Sequence, residues 1–491
     1  MSIDVGALTR DGGCFIDGRW QVGDGPEFHS VNPATGARLA STPSAGPEQV
    51  KQATSAAYRA FEGGEWSRLS GKDRSHLLYA LADLIERDEE DLLELFATEV
   101  GTPVRQGRAL HVELPAEFIR WFAEAARRGP RDGLEQPLPL HHNPVTSSSI
   151  LVRDPIGVVA AVTAYNFPLI MCAFKIGAAL AAGCSSVLVP SPKALLSTIA
   201  FVKLAEEAGF PAGAVNLVFG SPAVVEQVVT AEEVALVSFT GSAAVGSRIM
   251  ELAAPTLKKV VLELGGKSPN IVLPGADIST VGGQSVQSFC FNSGQACGAS
   301  ARALVWEQDF DNYVEAAANT LRAMTVGDPL QEETEVGPLI SDAHRRSVEE
   351  YVMRAAEVGA SVVAGGQRPS GLESGFFLEP TLVVGVGNDA EINQEEIFGP
   401  VGAVIPYQDL DEVVRIANDS KYALNANIWG PTVEAIELAR RLRTGTVVIN
   451  GGGGMRADAP WGGPGFSGIG REVGEEGYRE FFEVKHIQWV L

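Results

Sequence analysis

From Ile156 onward the chain alternates short β-rich runs with helix-length segments, and no other feature of the sequence restricts the fold as strongly. The runs are IGVVAAVT (156–163), SVLVP (186–190), AVNLVFG (214–220), ALVSFTG (235–241) and KKVVLEL (258–264). Between them lie alanine-rich, helix-competent stretches such as LIMCAFKIGAALAAG and STIAFVKLAEEAG. Continuous apolar strands separated by helices predict a parallel sheet covered on both faces. Ligands bind such sheets beyond the carboxyl ends of the strands, so the loops there are where chemistry is sought. After Pro269 the pattern resumes with NIVL, RALVWE (302–307), PVGAVIPY (400–407), ANIW (426–429) and GTVVIN (445–450), which predicts a second α/β unit.

The part before Ile156 reads as mostly helical, through PEQVKQATSAAYRAFEGG and DRSHLLYALADLIERDEEDLLELFATEVG. Both have apolar residues near the helical period and end at glycine. Arg131 to Pro144, rich in Pro, Gly and His, is expected to leave the packed body. The C-terminal EFFEVKHIQWVL alternates like a strand, and pairing with a neighbouring subunit is expected for it. Ile156 to Pro190 is long enough to span a bilayer and carries Lys175 as its only charge. Asn166-Phe167-Pro168 interrupts it and glycines punctuate it, so the expectation is strand, turn, buried helix and strand, with no membrane segment.

With 38 Lys+Arg against 61 Asp+Glu the formal charge is −23, which disfavours nucleic acid and anionic lipid as partners. Backbone N–H groups could still bind a phosphate locally. Five scattered cysteines form no disulfide framework, and no basic-then-apolar leader opens the sequence, so a cytoplasmic protein is expected.

Several loops carry candidate chemistry. Cys297 lies in FNSGQAC, where Gly294 and Gly298 keep bulk away from the thiol. Glu263 ends an apolar strand and is followed by Gly265-Gly266-Lys267; partial desolvation there would raise its pKa towards that of a general base. Asn166, in YNFP, stands between a strand and a helix, where its amide could stabilise an oxyanion or simply cap the helix. FTGS (239–242) ends another strand, and a helix running through Gly246 follows, a turn that could receive a pyrophosphate. EEIFGP (395–400) puts Glu396 and Phe398 on a loop, a carboxylate for ribose hydroxyls and a ring for nicotinamide. The literal GxGxxG at Gly463–Gly468 lacks a preceding strand and a following helix and is rejected as a dinucleotide fingerprint. No Cys/His cluster suited to a metal is present.

Singly these signals have ordinary structural uses, but their order and spacing do not. YNFP, FTGS, ELGGKSPN, FNSGQAC and EEIFGP, with NPATG (32–36), EAGFPAGAVNLV (207–218), GPLIS (337–341) and SGIGRE (467–472), closely resemble the aldehyde dehydrogenase superfamily from about Phe15 to the C terminus. The resemblance implies a hydrolytic, NAD(P)-dependent enzyme oxidising an aldehyde to a carboxylate through a cysteine thioester. It implies Cys297 as nucleophile, Glu263 as general base, Asn166 with the Cys297 N–H as oxyanion hole, and Lys175 as a lysine near the catalytic region. Gly241, Ser242 and Gly246 match the dinucleotide turn, and Glu396 and Phe398 the nicotinamide side. The implied fold is α/β: a Rossmann-like dinucleotide-binding domain (1–130 and 151–264), an α/β catalytic domain (265–468) and a small β oligomerisation segment (131–150 and 478–491). A homodimer or homotetramer follows.

Two departures stand out. Where many relatives carry VLKPSE, this chain has VLVPSPK, so Val189 and Pro192 replace the lysine and acid that hold the adenosine ribose, and Lys193 stands beside them. NAD is the expected cofactor, with NADP opened as an alternative by loss of the acid. The run GGGGMRADAPW (451–461) predicts a roomy substrate mouth and leaves open whether Arg456 meets substrate. Three rival readings remain: a CoA-acylating semialdehyde dehydrogenase of the same fold, against which Glu263 counts; a non-catalytic binding homologue; and a cysteine hydrolase independent of cofactor.

Overall fold

The apolar runs after Ile156 build the centre of an eight-stranded sheet. The structure, a computed structural model, describes residues 5–128 and 135–491. In that sheet the strands run in the order Gly468–Ile469, Lys259–Glu263, Val234–Thr240, Val158–Thr163, Ser185–Pro190, Val215–Leu217, Cys14–Ile16 and Arg19–Gln21. The five central strands are parallel, and the outer ones join antiparallel. Val158–Thr163 and Ser185–Pro190 are buried at every position, because helices cover both faces. Between these two strands, residues 168–182 form a fully buried helix whose middle turn, Ala173–Gly177, widens to π geometry.

The chain then crosses to a second sheet. Glu263 ends the strand Lys259–Glu263, and Pro269 opens Pro269–Val272 in a seven-stranded sheet of order 361–364, 381–384, 401–407, 302–306, 269–272, 425–429, 446–449. Six of its strands are parallel, and Ser361–Ala364 alone runs antiparallel. The chain later returns to the first sheet: Gly468 and Ile469 pair with Glu263 and Leu262. Residues near 468, expected in the second unit, therefore sit beside the end of the first unit's strand. The rejected GxGxxG contributes this edge pair.

Two expectations are filled in by the structure. The region before Ile156 is not only helical: Cys14–Ile16 and Arg19–Gln21 extend the first sheet, and Glu27–Val31 pairs with Arg38–Pro43 in a separate ribbon. Cys14–Ile16 pairs at every position with Arg19–Gln21 across the Asp17-Gly18 turn, whose two residues both have positive φ, and this hairpin joins the sheet through Phe15 against Leu217. The C-terminal strand Phe482–Val490 pairs within its own chain, antiparallel to Thr146–Pro155 from Phe482↔Pro155 to Val490↔Ser147. It forms one edge of a three-stranded sheet with Glu135–His142 at the other. Residues 131–134 of the expected excursion lie outside the described residues. Among the described residues no helix is long and apolar enough to cross a membrane.

A buried acid fixes one helix beside the sheet's carboxyl edge. Glu99 is fully buried and accepts from the backbone N–H groups of Leu196 and Ser197 at 2.7 Å each, and from the Ser197 hydroxyl at 2.5 Å. These are the first residues of the helix Leu195–Glu207, whose unpaired donors and positive end the carboxylate satisfies. Burial raises the Glu99 pKa to about 7, against the opposing effect of those donors. We expect Glu99→Ala to lower the unfolding free energy by about 2–4 kcal/mol, because it orphans buried donors. Denaturant midpoints of the variant and parent at pH 6 measure this.

Candidate active site

The two sheets meet where Gly265 and Gly266 connect them, and the meeting leaves no room for side chains. A Cβ on Gly266 would lie 2.4 Å from the Cys297 carbonyl oxygen, and one on Gly265 would lie 2.2 Å from a Glu396 carboxylate oxygen. The sequence-predicted residues Glu263, Cys297 and Glu396 are thus brought to one junction.

Cys297 follows the helix Ile278–Cys290 through a tight turn in which Asn292, Ser293 and Gly294 all have positive φ, at 48°, 56° and 72°. A Cβ at Gly294 would strike the Gly399 carbonyl at 2.1 Å. Side chains hold the two left-handed non-glycine residues in place. Asn292 accepts from Thr102 Oγ1 at 2.8 Å through Oδ1, donates to the Asn166 carbonyl at 3.1 Å through Nδ2, and donates its N–H to Gln106 at 3.0 Å. Ser293 donates to the Gly337 carbonyl at 2.9 Å. Of the five cysteines, all free, only Cys297 is partly exposed.

Glu263 is 3% exposed, and its carboxyl contacts the Cys297 thiol and accepts the Trp461 indole N–H at 3.1 Å. Burial first, and then the negative charge of Glu472, raise its pKa to about 8. The Cys297 thiol is pushed well above its ordinary range by burial and by the adjoining Glu263. Lys175, fully buried, forms an ion pair with Glu472 and donates to Ser238 Oγ at 3.1 Å. An ion pair this deep persists because each charge compensates the other. Asn166 is buried two residues before the helix Pro168–Cys172, and its Nδ2 donates to the Gln295 carbonyl at 2.9 Å. Its amide therefore lies against the loop that carries Cys297.

Two of the strand-end helices differ in what occupies their starts. The start of Leu195–Glu207 is filled by Glu99, whereas Ala243–Ala253 begins at Ser242 with no acid in its first turn. The Gly241 N–H donates to the Glu263 carbonyl at 3.1 Å, so this turn is hydrogen-bonded to the strand that carries the acid. Gly246 faces inward, where a Cβ would meet Leu264 at 2.7 Å; its glycine lets the helix approach the strand end. Glu396 accepts from the Gly266 N–H at 3.0 Å, and burial raises its pKa to about 7. Phe398, at φ 58°, lies edge-on to Tyr165 and accepts from His344 through its carbonyl at 2.7 Å. Lys193 places its ammonium 5.2 Å from the Tyr165 ring centre. Val189 is buried in its strand, and Pro192 begins a short 3₁₀ turn. Arg456, on the exposed loop, is engaged by Asp458 at 2.7 Å.

The residues that sequence reasoning missed are those that hold the named ones. Glu472 was visible only as the last letter of SGIGRE, and Trp461 as the end of GGGGMRADAPW. Asn292 and Gln295 lay inside FNSGQAC without a role, and His344 just past GPLIS. Among the described residues no cluster of His, Cys, Asp or Glu could hold a metal ion.

A sequence profile described as the aldehyde dehydrogenase family matches residues 20–487. The chain is 40% identical over 478 residues to a betaine aldehyde dehydrogenase of Bacillus subtilis, covering 96% of each protein. It is 38% identical to a 3-succinoylsemialdehyde-pyridine dehydrogenase of a Pseudomonas species, covering 96% of this chain and 97% of that protein. Among solved structures it is similar to the NAD+ complex of an aldehyde dehydrogenase from Bacillus cereus, with TM-score 0.95 and 36% identity, over 100% of this chain and 99% of that one.

The exposure pattern makes thiol chemistry selective. Native alkylation with iodoacetamide is expected to modify Cys297 and spare the other four thiols, as read by peptide mass spectrometry. The raised pKa makes the rate still climb with pH beyond pH 9, since only the thiolate reacts.

Proposed function

The chain belongs to the aldehyde dehydrogenase family and is an oxidoreductase acting on aldehydes; we propose that Cys297 is its nucleophile, Glu263 its general base and NAD its cofactor. The observation that carries this is the contact between the Cys297 thiol and the Glu263 carboxyl at the junction of the two sheets. Glu263 in its ionised form takes the thiol proton, and the thiolate adds to the aldehyde carbon. Asn166 Nδ2, held against the Cys297 loop through Gln295, and the Cys297 N–H are the donors for the alkoxide that forms. When bound, the nicotinamide supplies the hydride acceptor that oxidation requires. Loss of hydride from the adduct leaves a thioester on Cys297. Glu263, ionised again once the thiol proton has passed to solvent, then takes a proton from water, whose oxygen attacks the thioester; the acid leaves and ionises to the carboxylate, and the proton on Glu263 returns to the sulfur.

The residues fit a dinucleotide. The start of Ala243–Ala253, capped weakly by Ser242 Oγ on the Val245 N–H at 3.4 Å and free of acid in its first turn, suits the pyrophosphate together with Gly241. The second Glu396 oxygen is available to ribose hydroxyls, and Phe398 offers a ring to the nicotinamide. Lys193 lies on the Tyr165 side of this path. The NAD+ complex of the Bacillus cereus relative supports NAD, while Val189 and Pro192 leave no acid to repel a 2′-phosphate. We further assign the first sheet with its helices to dinucleotide binding and the second to catalysis. The hairpin with the C-terminal strand is assigned to a homodimer or homotetramer, through the outer edge of Phe482–Val490. Five unpaired thiols support a cytoplasmic setting.

Steady-state oxidation of an aldehyde panel with NAD and NADP separately tests the cofactor and narrows the substrate. Carboxylate as product, rather than a CoA ester when CoA is added, tests the hydrolytic reading. Because the base works ionised, thioester hydrolysis should rise with pH through a midpoint near 8 and fall away below it. At pH 9–10, where the thiol can ionise without this base, Glu263→Gln should release about one equivalent of reduced cofactor per site and then stall, losing roughly 10²–10⁴ in turnover. Asn166→Ala should lower kcat/KM by about 10²–10³. A sedimentation measurement on a chain truncated before Phe482 is expected to give a smaller assembly than the full chain.

A further inference from the structure

The catalytic acid has a second neighbour whose chemistry the reaction scheme leaves unused. The Trp461 indole N–H donates to Glu263 Oε1 at 3.1 Å. Two backbone hydrogen bonds, 2.7 and 2.8 Å, lock Trp461 opposite Glu472 as an isolated antiparallel pair. The indole also lies against Gly298, where a Cβ would come within 3.0 Å of the ring. The ring is thus fixed by its own backbone and by the residue after the nucleophile. One rung of chain places a donor on Glu263 through Trp461 and an anion on Lys175 through Glu472.

We infer that Trp461 is a positioning residue for Glu263 that acts chiefly in the hydrolytic half of the reaction. In the resting arrangement two groups hold the Glu263 carboxyl, the Cys297 thiol and the indole. Once the sulfur is acylated its S–H is gone, and the indole remains as the side-chain donor that keeps the carboxylate aimed at the thioester. An indole nitrogen suits this task because it donates only and keeps its proton throughout the working pH range. Its hydrogen bond favours the ionised acid, the form that activates water, and so lowers the pH at which hydrolysis begins.

This inference rests on Glu263 acting as the hydrolytic base, so Glu263→Gln is assayed beside it. Trp461→Phe keeps the ring and removes the donor. Pre-steady-state reduction of NAD by an aldehyde, followed by turnover across pH 6 to 10, separates the two halves. For Trp461→Phe the burst rate should stay within about twofold of the parent. Turnover at pH 7 should fall about 3–10-fold, and its pH midpoint should move up by about 0.5–1 unit. Trp461→His, which restores an N–H in a smaller ring, should recover part of the shift. An unchanged midpoint overturns the inference, whether turnover is unaffected or burst and turnover fall together as for a packing defect. If Glu263→Gln gives no stalled burst, the assignment of the base falls and this inference with it. If it stalls while Trp461→Phe leaves the midpoint in place, only the inference falls.

Discussion

Everything at this site depends on how closely two sheets can approach at Gly265-Gly266. Each glycine stands where a single extra carbon would overlap the opposite wall, the Cys297 carbonyl in one case and the Glu396 carboxylate in the other. At Gly266 the opposing atom is backbone, so a larger residue there would push the second sheet away from the end of Lys259–Glu263 and separate the thiol from the acid, whereas at Gly265 it would displace the Glu396 carboxylate. The short crossing from Glu263 to Pro269 therefore does more than connect two units. It sets the distance over which a proton can pass between groups from different sheets. Gly298 extends the same constraint, because it lets the Trp461 ring lie over the loop beyond Cys297.

That proximity places unusual charge in a dry place. Glu263, Lys175 and Glu472 are each under 5% exposed, and the lysine balances only one of the two acids. Burying such groups costs stability, which neutral packing would avoid. The cost gives Glu263 a titration range near neutrality, since desolvation and the Glu472 charge hold it above an ordinary carboxylate. Glu99 shows the contrasting use of a buried acid. It is spent on two backbone donors and the hydroxyls of Ser197 and Ser30, and fills one helix start with an acid, whereas the first turn after Ser242 carries none.

The strands that build the first sheet were legible because they are apolar on both faces and separated by helices, and Glu263 and Asn166 could be placed at their ends for the same reason. Cys297 was legible from the glycines around it and from its place among other motifs. What escaped was whatever depends on distant contacts. The hairpin of Cys14–Ile16 and Arg19–Gln21 turns on the local signal Asp17-Gly18, but its place in the sheet rests on Phe15 against Leu217. The C-terminal strand announced its β character but not its partner, because an alternating segment reads the same whether its own chain or a second copy completes it. Trp461 and Glu472 come from the segment that returns to the first sheet after the second is complete. A pass along the sequence reads that segment as a loop.

The nucleophile's turn shows why the least regular backbone sits at the most demanding place. Three successive residues with positive φ cost stability, and a buried polar series offsets that cost. His111, stacked on Phe96, meets Thr102 Oγ1 at 3.2 Å; Thr102 donates to Asn292, and Asn292 donates to the Asn166 carbonyl. Asn166 in turn donates to Gln295, whose side-chain oxygen accepts from Tyr165 Oη at 3.2 Å and the Ile340 N–H at 3.0 Å. Each bond joins a different stretch of chain, so the Asn166 amide and the thiol are fixed to one another rather than each to its own element. A regular helix or strand would have satisfied the same backbone locally and left the spacing between Asn166 and Cys297 to the drift of two independent elements. The turn gives up local order to gain a shared frame, and the network makes that frame rigid.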